Sequence, residues 1–145
     1  MTNDRMDISI TLTPKVWKHG PYVRWGVDDY RAITTTELKK TETSSMQVFL
    51  TDEKPHYVWL EMLHKKPRDT EVNEAGEITN DILVTIDALS FNGLEIGQIK
   101  YEESEYYLDH SDEVLRETLT LGFNGLWKLR FYVPTSNWIE SFLNK

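Results

Sequence analysis

Apolar and polar residues alternate with a period of two along most of this chain, the pattern of strands that bury one face and wet the other. Ile8, Ile10 and Leu12 alternate with Asp7, Ser9 and Thr11. Pro14 and the His19-Gly20-Pro21 segment then interrupt, and an extended pattern resumes over residues 22–25. Residues 46–50 and 56–62 form the next predicted pair, joined across residues 52–55. In the second of these, Val58, Leu60 and Met62 point to one face and Tyr57, Trp59 and Glu61 to the other.

The tetrapeptide Phe-Asn-Gly-Leu occurs twice, as Phe91-Asn92-Gly93-Leu94 and as Phe123-Asn124-Gly125-Leu126. Asn-Gly supplies two residues that tolerate positive φ, as a type I′ turn demands, so each copy predicts a hairpin. The first joins residues 82–91 to 94–101, the second joins 118–123 to 126–133. In the last strand Trp127, Leu129, Phe131 and Val133 face one way, and Lys128, Arg130 and Tyr132 the other. Two copies with dissimilar flanks read as two hairpins rather than an array.

Residues 34–45, 65–80 and 102–117 read as loops, the third with a helical turn capped by Ser111. Residues 136–143 read as a short helix whose stripe of Trp138, Ile139 and Phe142 plugs one end of the fold. Eight or so short strands cannot all bury a face in one open sheet, whereas two packed sheets cover each other. The expected fold is therefore all-β: one domain over residues 1–145, a two-sheet antiparallel β-sandwich of jelly-roll type with a short C-terminal helix, an immunoglobulin-like Greek key being the alternative strand order.

The chain has 145 residues and no apolar run of membrane-spanning length. Its 24 acidic and 16 basic residues give a net charge of -8, which disfavours nucleic acid and anionic membranes as partners. The first dozen residues carry Asp4 and Asp7 and lack a signal-peptide pattern, so export by that route is not expected and the compartment stays open, cytoplasm and virion included. The absence of cysteine removes disulfides, thiolate metal sites and cysteine nucleophiles. No nucleophile elbow, phosphate-cradling loop or dinucleotide fingerprint occurs, and the chain is expected not to be an enzyme; a glycosidase carboxylate pair is the enzyme alternative.

Aromatic residues beside carboxylates suit sugars, whose C–H faces stack on rings while acidic groups accept hydroxyl hydrogen bonds. Trp17, Trp25 and Tyr30 are candidates for an exposed platform. Tyr101, Tyr106 and Tyr107, interleaved with the acidic run from Glu102 to Glu113, form a second set, with a tyrosine-braced loop as the alternative. Asp69, Glu71 and Asp81, in or beside the long acidic loop, are candidate oxygen ligands for calcium, with a solvated charged loop as the alternative.

The stretch from His56 to Met62, the acidic loop, and the strand after Asn80-Asp81 resemble part of a small jelly-roll carbohydrate-binding module of the calcium-dependent xylan-binding type. That resemblance implies calcium near Asp69, Glu71 and Asp81. The segment from Leu121 through Phe131 to Trp138 is similar to short uncharacterised proteins of tailed phages. The leading expectation is a non-catalytic module that binds carbohydrate or a similar polar polymer with calcium as the cofactor. The alternative is a phage structural or assembly protein acting through protein contacts, homo-oligomerisation included; an acidic decoy for a basic partner is a further reading.

Overall fold

The computed structural model describes residues 3–143. In chain order its elements are β1 (Asn3–Lys15), β2 (Tyr22–Val27), β3 (Tyr30–Arg31), β4 (Thr36–Glu37), β5 (Glu42–Thr51), β6 (His56–Leu63), β7 (Glu71–Val72), β8 (Ile78–Asn80), β9 (Leu83–Phe91) and β10 (Leu94–Glu95). A short helix α1 (Ile99–Glu103) precedes β11 (Glu105–Leu108), β12 (Val114–Arg116), β13 (Thr120–Leu121), β14 (Gly125–Phe131) and the C-terminal helix α2 (Thr135–Leu143).

Two antiparallel sheets face each other. The first runs β10-β9-β1-β5 with β13 also on β9; the second runs β12-β11-β14-β6-β2-β3 with β4 also on β2. The long strands alternate between the sheets along the chain, so residues 46–50 and 56–62 are not a hairpin: β5 lies in the first sheet and β6 in the second. The inward residues read from the alternation are those that are buried, Val58, Leu60 and Met62 on β6 and Trp127, Leu129 and Phe131 on β14 among them. Burying each of these large side chains contributes about 1.5–3 kcal/mol. On β9 the buried set changes phase, from Val84 and Ile86 to Leu89 and Phe91. There Thr11 pairs with Ala88 and Leu12 with Ile86, so Asp87 is the extra residue of a bulge. β1 runs on through Pro14; its β5 partner has ended by then, leaving an edge where proline is tolerated.

Only the first Asn-Gly builds the hairpin expected of it. Asn92 and Gly93 take φ of +51° and +82°, and β9 turns directly into β10. Beyond Glu95 the expected strand gives way to a turn and α1. Gly125 instead opens β14, paired with Met62 of β6, and β13 pairs with β9 in the opposite sheet. The Asn124 side chain clamps Lys65, its Oδ1 accepting from the Lys65 N–H and its Nδ2 donating to the Lys65 carbonyl, each at 2.8 Å. A Cβ on Gly125 would stand 2.3 Å from the Tyr107 carbonyl oxygen, so glycine here serves close strand approach.

The expected loop at residues 102–117 contains the β11–β12 hairpin, with Tyr106 and Leu108 inward. Ser111 Oγ accepts from the Glu113 N–H in a turn, not in a helix. The 65–80 segment contains a 3-10 turn (Pro67–Asp69) and the small β7–β8 hairpin. Helix α2 closes one end of the sandwich: the Trp138 ring meets Phe91 of β9 and Phe131 of β14, at 5.9 and 6.2 Å between centroids.

Candidate functional site

Period-two alternation that sends Val58, Leu60 and Trp127 inward sends Tyr57, Trp59 and Lys128 to the outer face of the second sheet, where Lys128 stands opposite Trp59 and Arg130 opposite Tyr57. On the other side of β6, Gly26 stands opposite Trp59 and Arg24 opposite Glu61. A Cβ on Gly26 would come within 2.7 Å of Trp59 Cζ2. The six-membered ring of the indole therefore packs against a position with no side chain, and Nε1 donates to the Asp28 carbonyl at 2.8 Å. That hydrogen bond holds the ring in one orientation.

The turn after β2 is built to receive it. Asp28 takes φ of +50°, a conformation that aspartate tolerates better than most residues. Its Oδ1 accepts from the Tyr57 N–H at 2.8 Å, and its Oδ2 lies 2.6 Å from Nδ1 of the buried His56. His56 Nε2 lies 2.7 Å from the Thr51 carbonyl oxygen. A histidine on the core face thus ties down the turn that orients a tryptophan on the outer face.

Around Trp59 lies a groove of about 560 Å³, bordered by Arg24, Arg31, Lys54, Tyr57 and Lys128. A second groove of about 780 Å³ shares Tyr57 and continues past Arg130, Tyr132, Glu105 and Arg116 toward α2. The Lys128 ammonium is 5.1 Å from the Tyr57 ring centre and 4.7 Å from that of Tyr107, and the Arg130 guanidinium is 5.9 Å from the Tyr132 ring. Ion pairs flank the rings: Arg24 Nε with Glu61 at 2.5 Å and Arg116 with Glu105 at 2.8 Å. Burial, together with its hydrogen bond to Glu105, pushes the Tyr107 hydroxyl above its ordinary pKa and keeps it a neutral donor.

Of the aromatic residues singled out from sequence, the structure brings Tyr107 to this face. Two are corrected. Trp25 is wholly buried, because β2 directs it into the core with Nε1 donating to Ser44 Oγ at 2.9 Å. Tyr106 is wholly buried too, its hydroxyl donating to the Phe123 carbonyl, and burial raises its pKa to about 12. Trp17 is half-buried, with the Lys18 ammonium 4.4 Å from its ring, and lines neither groove. Tyr30 is exposed on β3, beside Arg31. Tyr101 is half-buried on α1.

The carboxylates expected to share a cation have separate partners. Asp69 is buried and takes the Lys66 N–H at 2.8 Å and His19 Nε2 at 3.2 Å. Burial disfavours its charge, but these partners outweigh burial and hold its pKa below the ordinary value. Asp81 is set likewise, with burial opposed by the Lys65 ammonium at 2.7 Å, the Thr70 hydroxyl and the Ile82 N–H. Glu71 is exposed and accepts from Thr79 and Asn80. The Lys65 ammonium, which also donates to the Gly122 carbonyl at 2.5 Å, supplies the positive charge at Asp81. Among the described residues, no group of three or more histidine, aspartate or glutamate side chains could hold a metal ion.

Tyr57, Trp59, Lys128, Arg130 and Tyr132 were not singled out as a site from sequence, although the alternation on β6 and β14 already assigns them to the face opposite the core. Their signal was the clustering of rings and cations on the polar phase of two strands, which only their pairing makes adjacent.

No family model matches this chain, and no curated protein matches it. Among solved structures, one described as "vCBM60 in complex with galactobiose" aligns over 85% of this chain and 96% of its own, with 13% identity and a TM-score of 0.48. Among the described residues, no helix is long and apolar enough to cross a membrane.

Proposed function

We propose that the outer face of the second sheet is a non-catalytic binding surface for a carbohydrate chain. One observation carries this reading: the half-buried Trp59 indole, packed against Gly26 and pinned through Nε1 to the Asp28 carbonyl, stands in a groove beside Tyr57 and Lys128. A sugar ring offers C–H groups to such a flat apolar face and hydroxyls to the polar side chains around it. A ring fixed before binding loses little conformational entropy when the ligand arrives. The two grooves meet at Tyr57, which suits an extended chain of several units better than a single sugar.

The test is affinity electrophoresis of wild type and Trp59→Leu through gels containing a panel of soluble polysaccharides. Retardation by at least one polymer, lost in Trp59→Leu with the thermal midpoint nearly kept, supports the reading. No retardation by any polymer overturns it.

A second reading, self-association, is favoured by β5. This ten-residue strand is the edge of the first sheet, carries exposed Phe49, and has neither proline nor lysine along its length, the devices that blunt edge pairing. Light scattering should then show a dimer that Phe49→Lys dissociates; a wild-type monomer at high concentration counts against it.

A further inference from the structure

The charge on this face differs in kind from that of the molecule. The chain carries -8 overall, yet the centre of the ring-lined surface lies under an ammonium. Of the carboxylates that line the two grooves, Glu61 is engaged by Arg24, Glu105 by Arg116, and Asp28 by His56 and the Tyr57 N–H; Asp29 and Glu103 lie at the rims, and Arg24, Arg31, Lys54, Arg116, Lys128 and Arg130 outnumber these five. Lys128 sits between the Tyr57 and Tyr107 rings, half-buried, opposite Trp59. Arg130 follows two residues along β14, about 7 Å further on the same face, and is exposed. An ammonium has three donors and no acceptor. Rings attract it through their faces but do not saturate those donors, and a ligand stacked on Trp59 and Tyr57 would place its substituents against them. A neutral hydroxyl satisfies a donor; an anionic oxygen does so with a charge-assisted bond roughly twice as strong.

Building on the carbohydrate reading above, we infer that the preferred ligand is an acidic polysaccharide, whose carboxylate or sulfate groups meet Lys128 and Arg130 while its sugar rings stack on Trp59 and Tyr57. The remaining acidic surface acts as a selectivity device. The net charge of -8 opposes non-specific approach of a polyanion, so binding favours the orientation that reaches this strip.

The experiment measures retention of wild type, Lys128→Met, Arg130→Gln and Trp59→Leu by four probes: polygalacturonate, the same polymer fully methyl-esterified, dextran sulfate, and single-stranded poly(dT). Thermal midpoints confirm that each variant is folded, and Tyr57→Ala replaces Trp59→Leu if the latter is not. The expected result is that polygalacturonate or dextran sulfate binds at least about tenfold more tightly than the methyl ester, equivalent to about 1.4 kcal/mol. Which of the two binds tells carboxylate from sulfate. Lys128→Met and Arg130→Gln should each erase most of that preference, lowering binding to the acidic polymer far more than to the ester, and added salt should weaken only the acidic arm. Equal binding of acidic polymer and ester, both lost in Trp59→Leu, overturns the acidic preference and leaves the carbohydrate reading intact. Retention of no polysaccharide, or retention indifferent to Trp59 and Tyr57, overturns both. Binding of poly(dT) as tight as that of the polysaccharides overturns the inference in favour of charge alone.

Discussion

Two copies of one tetrapeptide do different work. Asn92 enters the left-handed region and Gly93 follows it, so the backbone makes the turn; Asn124 gives its side-chain amide to Lys65 as a substitute strand partner, and Gly125 lets β14 approach Tyr107. Asn124→Ala would leave the Lys65 N–H and carbonyl without those partners, at a cost of about 1–3 kcal/mol read from denaturant unfolding. Asn124→Asp should keep the acceptor for the Lys65 N–H but set a carboxylate oxygen against the Lys65 carbonyl oxygen, and so should also destabilise the fold. On the outer face, Gly26→Ala has to push both the Tyr30 backbone and the Trp59 indole aside, since its Cβ would stand 2.1 Å from the Tyr30 carbonyl oxygen and 2.7 Å from Trp59 Cζ2. It should lower stability by about 1–3 kcal/mol and abolish polysaccharide retention; retention unchanged would show that the flat indole is not the platform. The turn propensity of Asn-Gly was legible because it is local. The second copy's role was not, because Lys65 lies 59 residues away in sequence.

Among the elements, the β2–β3 turn and α2 matter most to the site. Asp28 joins three acceptor roles in one residue, toward His56, the Tyr57 N–H and, through its carbonyl, Trp59 Nε1. Asp28→Ala removes the side-chain pair and leaves a buried imidazole beside an apolar methyl group. It should weaken binding without touching the ligand and destabilise the fold, whereas Asp29→Ala, at an exposed neighbour, should change stability by less than about 0.5 kcal/mol. Circular dichroism melts and retention assays on the pair separate these effects. Helix α2 was predicted from the spacing of Trp138, Ile139 and Phe142, and its Trp138 bridges both sheets. Trp138→Ala should cost about 3–5 kcal/mol by opening a cavity between Phe91 and Phe131. The β11–β12 hairpin escaped notice because the acidic residues around Tyr106 and Leu108 mask a two-residue inward pattern that only pairing with β14 completes.

For the whole molecule, buried and half-buried ion pairs set the pH range of stability. The Gly20 carbonyl, opposed by burial and aided by Asp69, raises His19 above its ordinary value of 6.5. A raised pKa means the folded state holds the proton more tightly, so this stabilisation is full below about pH 6.5 and is lost as pH rises through the folded value. Asp69, Asp81 and Glu95 are lowered by partners that outweigh burial; their stabilisation is present above the unfolded values near pH 4 and is lost as pH falls. The thermal midpoint should therefore decline on both sides, and Asp69→Asn should flatten the part of the decline that sets in above about pH 6.5. A slope unchanged in that variant would remove the His19–Asp69 pair from the account. Because Lys65 already supplies the cation at Asp81, excess calcium or chelator should leave the midpoint of the wild type unchanged; a rise of several degrees with calcium would show a bound ion. The sequence by itself determined the inward and outward faces of β1, β6 and β14, the first hairpin turn and the closing helix, since periodicity and turn chemistry are properties of neighbouring residues. Tertiary structure alone decided which strands share a sheet, that Trp25 and Tyr106 belong to the core, that Asp69 and Asp81 answer to His19 and Lys65, and that Tyr57, Trp59 and Lys128 form one surface. Those facts depend on strand pairing over long separations, where side chains far apart along the chain compete for the same partners and burial selects among them.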